Sequence, residues 1–70
     1  MCQATVYLKQ DGQEKEIMRD VILLEPAENG VRLATFFEKP HLVRGRVRHI
    51  DFLKHRVLLE PLEEKYDGGD

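Results

Sequence analysis

Ala4, Val6 and Leu8 alternate with Thr5, Tyr7 and Lys9, a period of two that turns one face of an extended segment toward a core and the other toward water. Asp11-Gly12 follows, the pair that accepts the positive φ angles of a tight hairpin turn. A second strand is predicted from about residue 15 to residue 24. It is apolar on both faces through Val21, Ile22, Leu23 and Leu24, as in a central strand or one bent to serve both sides of a barrel. Pro26 is expected to stop it, and Glu28-Asn29-Gly30 gives the second hairpin signal. In the third strand Val31, Leu33, Thr35 and Phe37 share one face and Arg32, Ala34 and Phe36 the other, before the irregular connection Glu38-Lys39-Pro40-His41.

The fourth strand contains a conflict. Its apolar parity switches from Val43 and Val47 to Ile50 and Phe52, and a regular strand cannot do that without turning its core face outward. A bulge or sharp bend near Gly45 or His49 repairs the register. Leu53-Lys54 reads as the last turn, Val57, Leu58 and Leu59 lie in the last strand, and Pro61 ends it. The pattern predicts an all-β domain: a small, strongly curved antiparallel barrel of about five strands, SH3-like or Sm-like, spanning residues 1–64, with 65–70 as a frayed acidic tail. Such barrels host many functions, so chemistry has to be found in individual residues.

Length and composition narrow the classes. A chain of 70 residues buries a marginal core, and small domains usually need a metal, disulfides or association to hold them. A single cysteine excludes an internal disulfide and fits a reducing interior, so a cytoplasmic homodimer is expected. The apolar run at 21–24 is far shorter than the ~20 residues of a membrane-crossing helix, and nothing resembles a signal peptide. Serine is missing altogether, which removes the hydrolase triads built on it, and no phosphate loop, paired-cysteine zinc motif or calcium loop is present. A Cys2 and histidine dyad on so small a barrel lacks room for an oxyanion hole and a substrate cleft. The chain is read as a binding protein, not an enzyme.

The charges are uneven. Lys39, Arg44, Arg46, Arg48, Lys54 and Arg56 face Asp51 alone, whereas Glu60, Glu63, Glu64, Asp67 and Asp70 face Lys65. An Sm-like RNA-binding module is therefore the alternative reading, with Arg44, Arg46 and Arg48 alternating onto one face to track a phosphate backbone. A net charge of −2 favours the plainer view of a solvated strand whose cations meet acidic neighbours, and a nucleic-acid partner is not expected.

Cys2 carries the most distinctive chemistry. A thiolate beside an α-amine can close a chelate ring, with the amine of Met1, the deprotonated amide of Cys2 and the sulfur of Cys2 in adjacent positions of a square plane. If Met1 is removed, Cys2 itself supplies the amine. Soft sulfur with strong-field nitrogen suits Ni(II) or Cu(II), while Zn(II) prefers a tetrahedron. The bland alternative is a small apolar residue opening a strand, because free cysteine packs like a hydrophobe. On the residues alone Cys2 is a core residue, a ligand or a reactive thiol. Of the three histidines, His41 belongs to an irregular loop, and His49 and His55 flank the last turn, where capping or packing beside Asp51 is the structural role. None is assigned as a ligand.

The opening Met1-Cys2-Gln3-Ala4-Thr5-Val6-Tyr7-Leu8, the hairpin after it and the segment from Gly45 through Ile50-Asp51 to His55-Arg56-Val57 together resemble the CooT family of small nickel-binding proteins over nearly the whole chain except the acidic tail. The resemblance implies Ni(II) as the metal, Cys2 and, through its main chain, Met1 as ligands, and a carbon monoxide dehydrogenase as a nickel-enzyme client. Related sequences are also described as RNA-binding proteins, which keeps the basic strand in view.

Overall fold

The structure is a computed structural model that describes residues 3–62. These residues form six strands: β1 (Ala4–Gln10), β2 (Gln13–Ala27), β3 (Gly30–Thr35), β4 (His41–Val43), β5 (Gly45–Asp51) and β6 (Arg56–Pro61). They make one sheet in the order β4-β3-β2-β1-β6-β5. The all-β barrel-like architecture expected from the pattern is present, as a curled half-barrel with no helix among the described residues. The boundary at residue 64 and the tail at 65–70 lie outside the described residues.

The first hairpin forms as its sequence dictates. Asp11 and Gly12 have φ of 52° and 78°, the two positive values of a type I′ turn, and Gln10 pairs with Gln13. β2 then bends. Asp20 takes φ of 60°, the register against β1 shifts between Ala4 and Val6, and that against β3 shifts between Val21 and Leu23. One strand thereby pairs with β1 through its first half and with β3 through its second.

Several sequence expectations need correction. Pro26 does not stop β2, which runs on to Ala27 with Pro26 opposite Val31. A proline is tolerated there because β1 ends its pairing at Val21, so Pro26 has a strand on one side only and needs no ladder N–H on the other. β3 stops at Thr35 instead of Phe37, and Phe37 takes φ of 67° in the turn that follows. His41 belongs to a short strand, β4, that pairs with β3. The expected fourth strand is divided at Arg44, and it uses both proposed devices: the chain bends into Gly45, and a register shift separates Val47 from His49. The strands number six, and the β1–β6 pair is parallel, with Thr5 opposite Arg56 and Leu8 opposite Leu59.

Because β4 and β5 are joined through Arg44 alone, the two edges of the sheet are halves of one bent segment, and the sheet must curl to let them meet. Glycine is required at both sides of this joint. A Cβ on Gly30, at φ of 151°, would fall on the carbonyl oxygen of Val43, and one on Gly45 would stand 2.9 Å from the carbonyl oxygen of Glu60. Inside the curl Val6, Leu33 and Leu59 are fully buried, with Val21, Val31 and Val57 around them. Each such side chain contributes about 1.5–3 kcal/mol. No charged or polar residue is buried among the described residues, so the core holds by apolar burial alone.

Candidate metal centre and its apolar rim

The expected ligands Met1 and Cys2 lie outside the described residues. The described residues begin at Gln3, which follows Cys2 in the sequence. Gln3 immediately precedes β1, at the end of the barrel where β5 finishes and β6 starts. The amide of Thr5 donates to the carbonyl of His55 at 2.9 Å, tying the start of β1 to the last turn. That turn spans residues 52–55; the Asp51 carboxylate accepts from the Lys54 amide at 3.0 Å, and His55 closes the turn at φ of 56°. His55 therefore holds the N-terminal strand through its main chain, close to the structural role expected of it.

Beside Gln3 lies an apolar groove of about 330 Å³, walled by Ala4 and Val21 to Leu24 on one side and by Ile50, Phe52 and Val57 on the other. Its rim is unusually apolar for a water-facing surface: Ile22 is 43% exposed, Ile50 40%, Phe52 82%, and Leu53, next in the turn, 88%. A second recess touches Gln3 from the opposite side and is bordered by Met18, Arg19, Asp20, Thr35 and Phe36, with Phe36 against Phe37 at 6.0 Å between ring centroids. Sequence reading missed this rim. Its signal was two adjacent large apolar residues, Phe52 and Leu53, at a turn, where polar residues normally stand.

The histidines do not gather at this end. His49 pairs with Leu58 and borders a polar recess with Glu14, Asp51 and Arg56, whereas His55 borders the apolar groove. His41 is exposed, its Nε2 3.8 Å from Glu38. Among the described residues no three His, Cys, Asp or Glu side chains converge on a common point. The one thiol of the sequence, Cys2, lies outside those residues.

Two arginines of the basic strand share one carboxylate on folding. Arg46 Nε donates to Glu60 at 2.8 Å and Arg48 Nη1 to the other oxygen of the same carboxylate at 3.2 Å. The hydrogen bond from Arg46, joined by that from Arg48, holds the Glu60 carboxyl below the usual carboxylate range. Arg44 stands at the bend outside β5, so the three arginines do not form the regular one-faced row that the alternation predicted. Arg56 lies 4.4 Å above the Tyr7 ring and bonds Glu14 at 2.9 Å. A cation that already bonds a carboxylate has less to gain from a phosphate, and the RNA-binding reading loses its main support.

Comparison with known proteins agrees with this geometry. A crystal structure of a protein assigned as CooT from Carboxydothermus hydrogenoformans has the same fold, with a TM-score of 0.78 at 24% identity over 89% of this chain and 100% of that one. An uncharacterized protein of Methanothermobacter thermautotrophicus is 32% identical over 60 residues, 86% of this chain and 89% of its own. The sequence model of CooT, described as a CO dehydrogenase accessory protein and not as an enzyme, matches residues 1–60, from the Met-Cys opening to the end of the sheet. This chain belongs to the CooT family of CO dehydrogenase accessory proteins.

Proposed function

We propose that this protein carries Ni(II) as cargo to a CO dehydrogenase, holding it at its N-terminus through the Cys2 thiolate and the main chain of Met1. The observation that carries the reading is the family match itself: an accessory role to CO dehydrogenase over a span that includes the Met1-Cys2 pair. Chemistry supplies the rest. Amine, deprotonated amide and thiolate offer soft sulfur and strong-field nitrogen in one plane, the set that suits Ni(II) or Cu(II). One chain offers three donors to a plane of four, whereas two copies, each contributing its Cys2 thiolate together with main-chain nitrogen, can complete it, and a homodimer with about one Ni(II) between its protomers follows.

A carrier must also let go. A site shared by two chains opens when they part, which breaks the plane and frees the ion for its client. Binding displaces protons, since the amine titrates near ~7.7 and the thiol near ~8.5 when unperturbed, so affinity should rise with pH across that range. The lone thiol fits a reducing cytoplasm. Titration with Ni(II) tests the reading: a thiolate-to-metal charge-transfer band should saturate at about one ion per two chains and vanish in Cys2→Ser. Undiminished nickel affinity in that variant rejects the proposal.

A further inference from the structure

We propose that the open edge of β5 receives an extended segment of a partner protein, one that alternates apolar with acidic residues and adds a strand to the sheet. The proposal uses no residue of the metal centre and stands apart from the nickel reading. In the strand order β5 is terminal, hydrogen-bonded to β6 and to no other described strand. Outward-facing amides and carbonyls along such an edge are a template for another chain. The ladder fixes which groups are offered. Leu62 donates its amide to the carbonyl of Arg44, and Pro61, opposite Gly45, has no N–H to give. Bonded and non-bonded pairs alternate in an antiparallel ladder, so Arg46 and Glu60 form the next bonded pair, and the main chain of Val47 turns away from β6.

The chemistry of the segment follows from the two faces of β5. On the core side Val47 and Ile50 stay 36% and 40% exposed, although Leu59 and Val57, their partners on β6, are buried. Ile50 also walls the groove of about 330 Å³, together with Ile22 and Leu24 of β2. Alternate side chains of an added strand would cover these residues, and they must be apolar to gain from it. On the outer side Arg46 and Arg48 share the single carboxylate of Glu60, two cations to one anion, and Lys54 follows in the turn. The intervening side chains therefore meet a net positive charge, which selects carboxylates. Ladder and groove supply the affinity, and charge sets the choice of partner. A second copy offering its own β5 is disfavoured, since pairing the two edges would set the arginines of one beside those of the other.

Amide hydrogen exchange on the metal-free full chain is the test, with a capped peptide of alternating valine and glutamate as long as the seven residues of β5. In the chain alone the Val47 amide should exchange rapidly, while that of Val6, on a strand enclosed by β2 and β6, is protected. Saturating peptide should slow exchange at Val47 by about tenfold or more. The same peptide with lysine in place of glutamate should bind about tenfold more weakly, and the double variant Arg46→Ala, Arg48→Ala should narrow that ratio. Ile22→Glu, at an exposed position on the groove wall, should keep the melting temperature of wild type and weaken the glutamate peptide by about tenfold. A Val47 amide already protected in the chain alone means that a second copy or residues 63–70 hold the edge, and overturns the proposal. So does a lysine peptide that binds as tightly as the glutamate one, or exchange unchanged at about 5 mM peptide. Failure of the nickel reading appears elsewhere, as nickel binding that survives Cys2→Ser, and leaves these exchange rates untouched.

Discussion

The two sides of the β5–β6 hairpin are built from opposite materials. On its outer face Arg46 and Arg48 share Glu60, and Arg56 rests on Tyr7 and Glu14, so three of the six cations of the basic segment meet carboxylates. At its turn, Phe52 and Leu53 stand in water beside an apolar groove with nothing in the described residues to cover them. The conspicuous feature of the sequence is the basic run, and the fold ties half of its cations to carboxylates. The inconspicuous one is a pair of apolar residues at a turn, and the fold leaves it unsatisfied. Exposed ion pairs contribute little and demand no partner, whereas an apolar patch demands one. That apolar end is also the end at which Gln3 leads into β1.

The largest effect should come from truncating the hairpin's inner face. Leu59 is fully buried, and Leu59→Ala should cost about 2–5 kcal/mol. In a domain of this size that lowers Tm by more than about 10 °C and can abolish folding. Phe52→Ala, melted at the same dilution, should change stability by less than about 0.5 kcal/mol, because an 82% exposed ring loses little contact. Thermal melts of the two variants decide the matter. Comparable losses would mean that Phe52 belongs to the core and that the end is not an exposed surface.

A smaller effect is expected at the N-terminus. The contacts of β1 with the core come from Val6, fully buried, and from Ala4 and Leu8 packed against the cluster, so Cys2→Ala should cost about 1 kcal/mol or less while nickel binding is lost. If apo Cys2→Ala melts more than about 10 °C below apo wild type, Cys2 is chiefly structural and the apolar end has no metal to serve.

What the sequence disclosed and what it withheld divide along physical lines. Asp11-Gly12 and Glu28-Asn29-Gly30 located two hairpins, because turn chemistry is local. The parity switch between Val47 and Ile50 located the bulge at His49, because face alternation is also local. The parallel pairing of β1 with β6 was invisible, since it joins residues about fifty positions apart and leaves each strand's own alternation unchanged. Pro26 misled because its effect depends on whether a second strand lies alongside, which only the sheet order decides. For the site, chemistry and resemblance pointed to Cys2, which lies outside the described residues. The apolar groove beside Gln3 was not legible, because it assembles from β2, β5 and the last turn.

Weaker still should be any response to RNA. Arg46→Ala and Arg48→Ala should leave retention of single-stranded RNA unchanged, because wild type is expected to show none at low salt. A gel-shift series at two salt concentrations measures this. Retention by wild type that falls with a log-log slope of about one unit per phosphate neutralised would show that Glu60 does not hold its arginines, and would move the functional face from the turn to the outer strand.

The smallest effect concerns acid. Glu60 is held below the usual carboxylate range by Arg46 first, and Glu16 likewise by the hydrogen bond from Arg19, at 2.8 Å. Folding therefore favours the ionised form of both groups. The stability these pairs give is fully present above the unfolded carboxylate value, near ~4.3, and drains away as pH falls through the lowered folded values. Wild type should accordingly lose slightly more Tm than Glu60→Gln on going from neutral pH to about pH 3, because the variant has no carboxylate left to protonate. Both pairs are exposed, so the difference should be about 1–2 °C and should shrink in high salt. A Glu60→Gln chain that melts far below wild type at neutral pH would mean that the ion pairs of the outer face hold the hairpin in place, and that face would then be structural instead of merely neutralised.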